Sequence, residues 1–181
     1  MTAVTRDSFR SHPVNLEVIA GNEHLGKCLV IHPRCTGGDI RQGIMMREFE
    51  KEGIQQEIRN LCHRYHPARV LEVGFGMGFT ATQFQECGIE KHVIVEAHPQ
   101  MAADARQWRE NYPTKDIEIV EEFFQDYLYN EENYDLIYDD RFEMIDHGRE
   151  YREYLRTQGF MFRENTNAFP CWKIVVDRTK K

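Results

Sequence analysis

The amino-acid sequence predicts an α/β protein built on a doubly wound, mostly parallel sheet. Three observations lead there: short β-rich apolar segments alternate with stretches of helical period, a glycine-rich turn follows the first segment of that alternation, and acids close later ones. At 181 residues the chain suits one domain around one core.

From Met46 to Cys62 the apolar residues Met46, Phe49, Ile54, Ile58 and Leu61 recur at helical spacing, and His66-Pro67 ends the predicted helix. Arg69 to Val73 is short and rich in β-formers, as a buried strand is. After the glycines, Phe79 to Cys87 reads as a helix closed by Gly88. His92 to Glu96 (HVIVE) is the next strand, and Pro99 opens a helix carrying Met101, Ala105, Trp108 and Tyr112 on one face. Ile117 to Val120 and Tyr134 to Tyr138 (YDLIY) are two further strands. In the tail, Ile145 to Gln158 reads as a charged helix, with strands at Phe160 to Arg163 and Trp172 to Asp177. Upstream, Leu16 to Ala20 and Lys27 to His32 flank the turn-rich GNEHLG and form a candidate hairpin.

Composition narrows the function classes. Hydrophobic residues at 41% and charged residues at 29% are the balance of a soluble globular chain. No apolar run approaches the ~20 residues of a membrane span, and MTAVTRDSFRSHP has no apolar signal region, so a cytoplasmic, membrane-free protein is expected. Five cysteines without CxxC spacing point to reduced thiols. A net charge of −7 opposes binding to a phosphate backbone, so nucleic acid is not an expected partner. CHRYH at residues 62–66 reads as a helix end, and no metal is expected.

RVLEVGFGMGFT lies where ligands bind in such sheets, beyond the carboxyl end of a strand. Its glycines, Gly74, Gly76 and Gly78, allow a sharp turn and close backbone approach. The dinucleotide pattern GxGxxG is not kept, since the third glycine arrives one residue early, and no GK[ST] follows. Glu72, two residues before Gly74, is the wrong charge for a pyrophosphate but suits a ligand with an ammonium group and no phosphate. S-adenosyl-L-methionine is such a ligand. Glu96, 24 residues after Glu72, ends the next strand where an acid accepts hydrogen bonds from ribose hydroxyls.

With these residues in hand, ARVLEVGFGMGFTATQFQECGIEKHVIVEAHP resembles the first half of class I S-adenosylmethionine-dependent methyltransferases. LEVGFGM and VIVEAHP, with MREFE upstream and YDLIYDD downstream, are most similar to guanidinoacetate and related guanidino N-methyltransferases. The resemblance implies a Rossmann-like fold, shortened at its C-terminal end because only residues 141–181 follow the fourth strand of the core. It divides a single domain into an N-terminal extension over 1–44, a cofactor-binding core over 45–140 and the shortened part over 141–181. It implies that Met46 and Ile54 line the methionine end of the cofactor, together with Glu50, and that Phe75, Gly76, Met77, Gly78, Phe79 and Thr80 form the cofactor loop. Glu96, Ala97 and His98 then correspond to the ribose segment, Glu122 and Phe123 to the adenine pair, and Asp139 to the acid that binds the guanidino acceptor.

Residue chemistry adds to two of these. Glu50 shares the Met46, Ile54, Ile58 stripe at i, i+4 spacing, so a cationic partner such as a guanidinium or amine substrate is expected; the alternative is that it sits at the stripe's edge and reaches water or a nearby arginine. Asp139 and Asp140 follow a strand end, where one acid can cap a helix and the other bind substrate. With Glu50, Asp139 forms a candidate catalytic pair that holds a guanidinium, orients its nitrogen and takes its proton. Asp140 and Arg141 are candidate substrate residues, Arg141 either meeting a substrate carboxylate or neutralising the acids. The expected activity is methyl transfer to a small guanidino or amine compound. A cofactor-binding subunit without catalysis and an aminopropyltransferase of the spermidine synthase kind are the alternatives, and homodimerisation is one way to complete a shortened acceptor pocket.

Overall fold

A computed structural model describes residues 16–20, 26–31, 44–127, 134–139, 161–164 and 172–175. Asp140, Arg141 and the helix expected over 145–158 lie outside these residues.

The expected hairpin is present as β1 (Leu16–Ala20) and β2 (Lys27–Ile31), paired antiparallel with Val18 opposite Leu29. A third strand joins it. β3 (Ile44–Arg47) pairs antiparallel with β2, Met46 opposite Leu29, and a 3-10 turn over Glu48–Glu50 leads into α1 (Lys51–Tyr65). This corrects the helix expected from Met46. The i, i+4 spacing of Met46, Glu50 and Ile54 imitates a helix, but the free edge of β2 offers Ile44 to Arg47 a ladder that a helix would forgo. His66 ends α1 with a left-handed φ of 44° and its N–H on the Cys62 carbonyl, so CHRYH is that helix's C-terminus.

The second sheet has six strands: β4 (Arg69–Val73), β5 (Lys91–Val95), β6 (Asp116–Val120), β7 (Leu136–Asp139), β8 (Met161–Glu164) and β9 (Trp172–Val175). Their order is β6-β5-β4-β7-β9-β8. The first four in that order run parallel, while β9 is antiparallel to both β7 and β8. Chain order reverses across β4, so the crevice at the carboxyl ends of β4, β5 and β7 is the topological switch point where ligands settle in such sheets.

Between the strands lie α2 (Phe79–Glu86), α3 (Pro99–Arg109) and the short α4 (Phe124–Tyr127). Alternation in the strands sends Val70, Leu136 and Tyr138 to one face, where Ile58 of α1 and Phe84 of α2 cover them. Ile94 on the same face meets Ala81 of α2 and Ala105 of α3. Leu71, Val73, Val93, Val95 and Ile137 point the other way, against Phe124, Tyr127 and Tyr134. Each fully buried aliphatic or Phe side chain here contributes about 1.5–3 kcal/mol by leaving water. Asp135 fixes the far end of the sheet, its carboxylate accepting from the amides of Ala68 (3.0 Å) and Arg69 (2.9 Å). No described helix is long and apolar enough to cross a membrane.

Candidate active site

The turn after β4 is built on three left-handed glycines, with φ of 87° at Gly74, 55° at Gly76 and 71° at Gly78. A side chain in that region costs roughly 1–2 kcal/mol, which is why the spacing is glycine-specific. Space is short as well. A Cβ at Gly76 would lie 2.9 Å from Cε of Met46, and one at Gly78 would lie 2.8 Å from Cζ of Phe75. The Met46 and Phe75 side chains therefore pack directly against the loop where a Cβ would otherwise stand.

Two segments frame the loop. Met46, at the end of the N-terminal sheet, accepts the Met77 N–H on its sulfur at 3.3 Å, so the segment expected at the cofactor's methionine end does reach the loop. Glu96 follows β5, level with Gly74, whose N–H donates to the Val95 carbonyl at 2.9 Å. One Glu96 oxygen accepts the Phe75 amide and the other the His98 amide, each at 2.8 Å. Burial pushes the Glu96 carboxyl above its usual range, against the downward pull of the Phe75, His98 and Ala97 amides. A carboxylate has about four acceptor sites, so capacity remains for hydroxyl donors.

Other predicted residues act by their backbone or pack behind the loop. Phe75 is buried against Trp108, ring centroids 5.7 Å apart. Phe79 and Thr80 begin α2 directly after Gly78, with Thr80 buried and the Lys51 amine 5.8 Å from the Phe79 ring centroid. His98 caps α3, its Nδ1 accepting the Gln100 N–H at 3.2 Å. Ala97 is half-buried beside it. Glu122 and Phe123 follow β6, Glu122 half-buried and Phe123 buried, with the Phe123 carbonyl accepting from Asp126 and Tyr127 at the start of α4. Ile54 is partly buried on the core behind α1.

Two acids sit differently from expectation. Glu72 is only 1% exposed and shares a sheet face with Val70 under α2. Its Oε2 lies 3.0 Å from Nε2 of His92, whose Nδ1 is 3.0 Å from Nε2 of Gln85. Alternation along β4 decides this: Glu72 has the parity of Val70, which points into the helix layer rather than the crevice. Complete burial lowers the His92 pKa to about 3. Neutral His92 then takes the Gln85 amide N–H on Nδ1, while its Nε2 lies beside Glu72 Oε2 without hydrogen-bond geometry.

Glu50 stands in the 3-10 turn, not on α1, and has already found a cation. Its Oε1 is 3.1 Å from Nη1 of Arg47 and its Oε2 accepts the Arg47 amide at 2.8 Å. Asp139 ends β7 level with Val73, the residue before the loop, and is 2% exposed. Arg47, Gln85 and His92 are the site-related residues that sequence reasoning missed; the basic neighbour within MREFE was a signal for the first, whereas the other two depend on strand register.

The mostly parallel sheet of order β6-β5-β4-β7-β9-β8, with a glycine loop at its switch point, is the class I S-adenosylmethionine-dependent methyltransferase fold. Solved structures with this fold include the SAH-bound methyltransferase PaMTH1 of Podospora anserina (TM-score 0.50, 24% identity, 58% of this chain and 46% of that one). A spermidine synthase in complex with the transition state analogue AdoDATO shares it too (TM-score 0.53, 20% identity, 71% and 43%). Residues 53–163, more than half of the chain, match the family described as guanidinoacetate N-methyltransferase, and the chain belongs to that family. It is 35% identical over 92 residues to a protein arginine N-methyltransferase 2 of Eremothecium gossypii, covering 49% of this chain and 21% of that protein. The figures are 30% over 95 residues, 51% and 22% for the Neurospora crassa protein of the same name. The chain thus spans about a fifth of the length of these relatives.

Proposed function

We propose that this chain is an S-adenosylmethionine-dependent N-methyltransferase acting on the nitrogen of a small guanidino or amine compound. The observation that carries the reading is Asp139, a carboxylate withdrawn from water at the end of β7, level with the residue that opens the glycine loop. A carboxylate at that strand end can hold a guanidinium through its charge and two parallel N–H donors. A guanidino group is also what the family's description and the relatives' names have in common.

When bound, the cofactor supplies a methyl group activated on a sulfonium. The glycine loop and Glu96 hold its nucleoside part, and Met46 closes over the loop. Asp139 and Glu50 orient the acceptor nitrogen for in-line attack and receive its proton, so alignment and proton removal do the work without a covalent enzyme intermediate. Phe79, Thr80, Ala97, His98, Glu122 and Phe123 complete the cofactor cradle, and Asp140 and Arg141 stay candidate substrate residues. The free thiols of Cys28, Cys62 and Cys87 suit a reducing cytoplasm.

The names of the two relatives favour a second reading, in which the guanidino group belongs to an arginine within a protein. Methyl transfer from labelled cofactor to guanidinoacetate, arginine, simple amines and an arginine-containing peptide separates the readings. Turnover on the small compounds supports the first and turnover on the peptide alone the second. No calorimetric binding of S-adenosylmethionine or S-adenosylhomocysteine would sink both.

A further inference from the structure

The carboxylate assigned to the acceptor is not bare: a guanidinium of the chain itself sits on it. Nη1 of Arg47 lies 3.1 Å from Oε1 of Glu50, while the Arg47 backbone N–H holds Oε2 at 2.8 Å. Both side chains are 24% exposed, so the pair is at the surface of the site and within reach of solvent. The two residues straddle the junction of β3 and the 3-10 turn, one position from Met46, which is seated on the glycine loop.

From this geometry we infer that Arg47 is an internal competitor for the acceptor position, and that a guanidino acceptor binds Glu50 by exchange with the Arg47 side chain. The inference rests on the proposed guanidino chemistry. Like replaces like: the Arg47 fork and an acceptor guanidinium make the same charge-assisted hydrogen bonds to the same oxygen. The backbone N–H of Arg47 does not need to move, so Oε2 stays anchored and the carboxylate keeps its orientation throughout the exchange. A part-buried i, i+3 pair joined by one side-chain contact is weak, so it yields to an intermolecular partner that Asp139 also holds. Arg47 thereby keeps Glu50 satisfied when no acceptor is present and raises the threshold an acceptor must pass.

Arg47→Met tests this, because it keeps the stem and the backbone N–H but removes the fork. Calorimetric titration of methylguanidine and guanidinoacetate into the S-adenosylhomocysteine complex is compared for wild type and variant, with circular dichroism confirming the fold. The expected result is binding tighter by up to about 5-fold in the variant, unchanged S-adenosylhomocysteine affinity, and steeper weakening by salt, since a net ion pair now forms where one was previously exchanged. Arg47→Lys should fall between the two. Equal or weaker binding to Arg47→Met, with the fold intact, overturns the inference and leaves the guanidino reading standing. Failure of wild type and both variants to bind either probe overturns the guanidino reading and the inference with it.

Discussion

Replacing Glu96 by alanine should separate ligand affinity from fold stability. In the wild type the carboxylate anchors the Phe75 and His98 amides at 2.8 Å each and keeps acceptor capacity for the cofactor's ribose hydroxyls. A hydrogen bond to a charged acceptor contributes about 1.5–3 kcal/mol, and about 1.4 kcal/mol is tenfold in affinity, so losing one such bond raises the Kd for S-adenosylhomocysteine about 10- to 150-fold. The ligand-free protein should melt close to wild type. Burial has already outweighed the amide bonds in setting the raised pKa of this group, so deleting it also deletes a desolvation cost. The pH dependence has a definite sign. With its folded pKa raised above 4.5, Glu96 contributes stability that is fully present below 4.5 and lost as pH rises through the folded value. Hydroxyl donors need the ionised form, so cofactor affinity falls as pH drops through that same value, and the alanine variant loses this dependence. Isothermal calorimetry across pH and thermal melts without ligand are the assays. An unchanged Kd in the variant would refute the ribose role, and a collapse of the ligand-free melting temperature would show a structural acid instead.

Three further outcomes are expected. Gly78→Ala should cost about 2–4 kcal/mol in denaturant unfolding, from a left-handed φ plus overpacking against Phe75, whereas Gly88→Ala, at φ 80° with no atom within 4 Å of the added Cβ, should cost only about 1 kcal/mol. Equal costs would show that the Phe75 contact is irrelevant. Asp139→Asn should leave the S-adenosylhomocysteine Kd within about 3-fold and abolish methylation of the preferred acceptor; retained turnover would remove Asp139 from the acceptor site. Burial lowers His92 from 6.5 to about 3, so its contribution to stability is present above 6.5 and lost as pH falls toward 3, at up to about 1.4 kcal/mol per unit. Unfolding at pH 6.5 and 5.5, compared between wild type and His92→Asn, should show the smaller loss in the variant, and parallel losses would refute the assignment.

Local signals carried most of the core into view. Val70 and Leu71 announce a buried strand, Gly88 stops α2, and Pro99 starts α3, because each choice is dictated by backbone chemistry within a few residues. The spacing of Gly74, Gly76 and Gly78 was legible for the same reason: all three take φ values that other residues resist. What escaped was non-local. β3 exists because Met46 finds Leu29 across a ladder, and its own spacing points to a helix instead. The antiparallel turn of β9 beside β7 depends on pairing with residues far along the chain. Arg47 on Glu50 was half-visible, since water or a nearby arginine was the alternative to a cationic substrate for that acid, but sequence does not choose among them.

Glu72 and Glu96 show how far strand-end acids can be trusted. Both are glutamates near the carboxyl ends of adjacent parallel strands, and sequence reasoning gave both to the ligand. The difference is which side of the sheet each side chain takes. Glu72 turns into the helix layer, buried beside His92, which Gln85 holds. Glu96 emerges one residue past its strand, where backbone amides of the loop and of α3 share the charge without closing the site. The first arrangement spends the carboxylate on the fold, whereas the second leaves it available to a ligand. Substitutions at His92 should therefore shift stability and cofactor affinity together, through the folded fraction, while those at Glu96 shift affinity alone, and a strand-end acid is functional only when its neighbours leave it acceptor capacity.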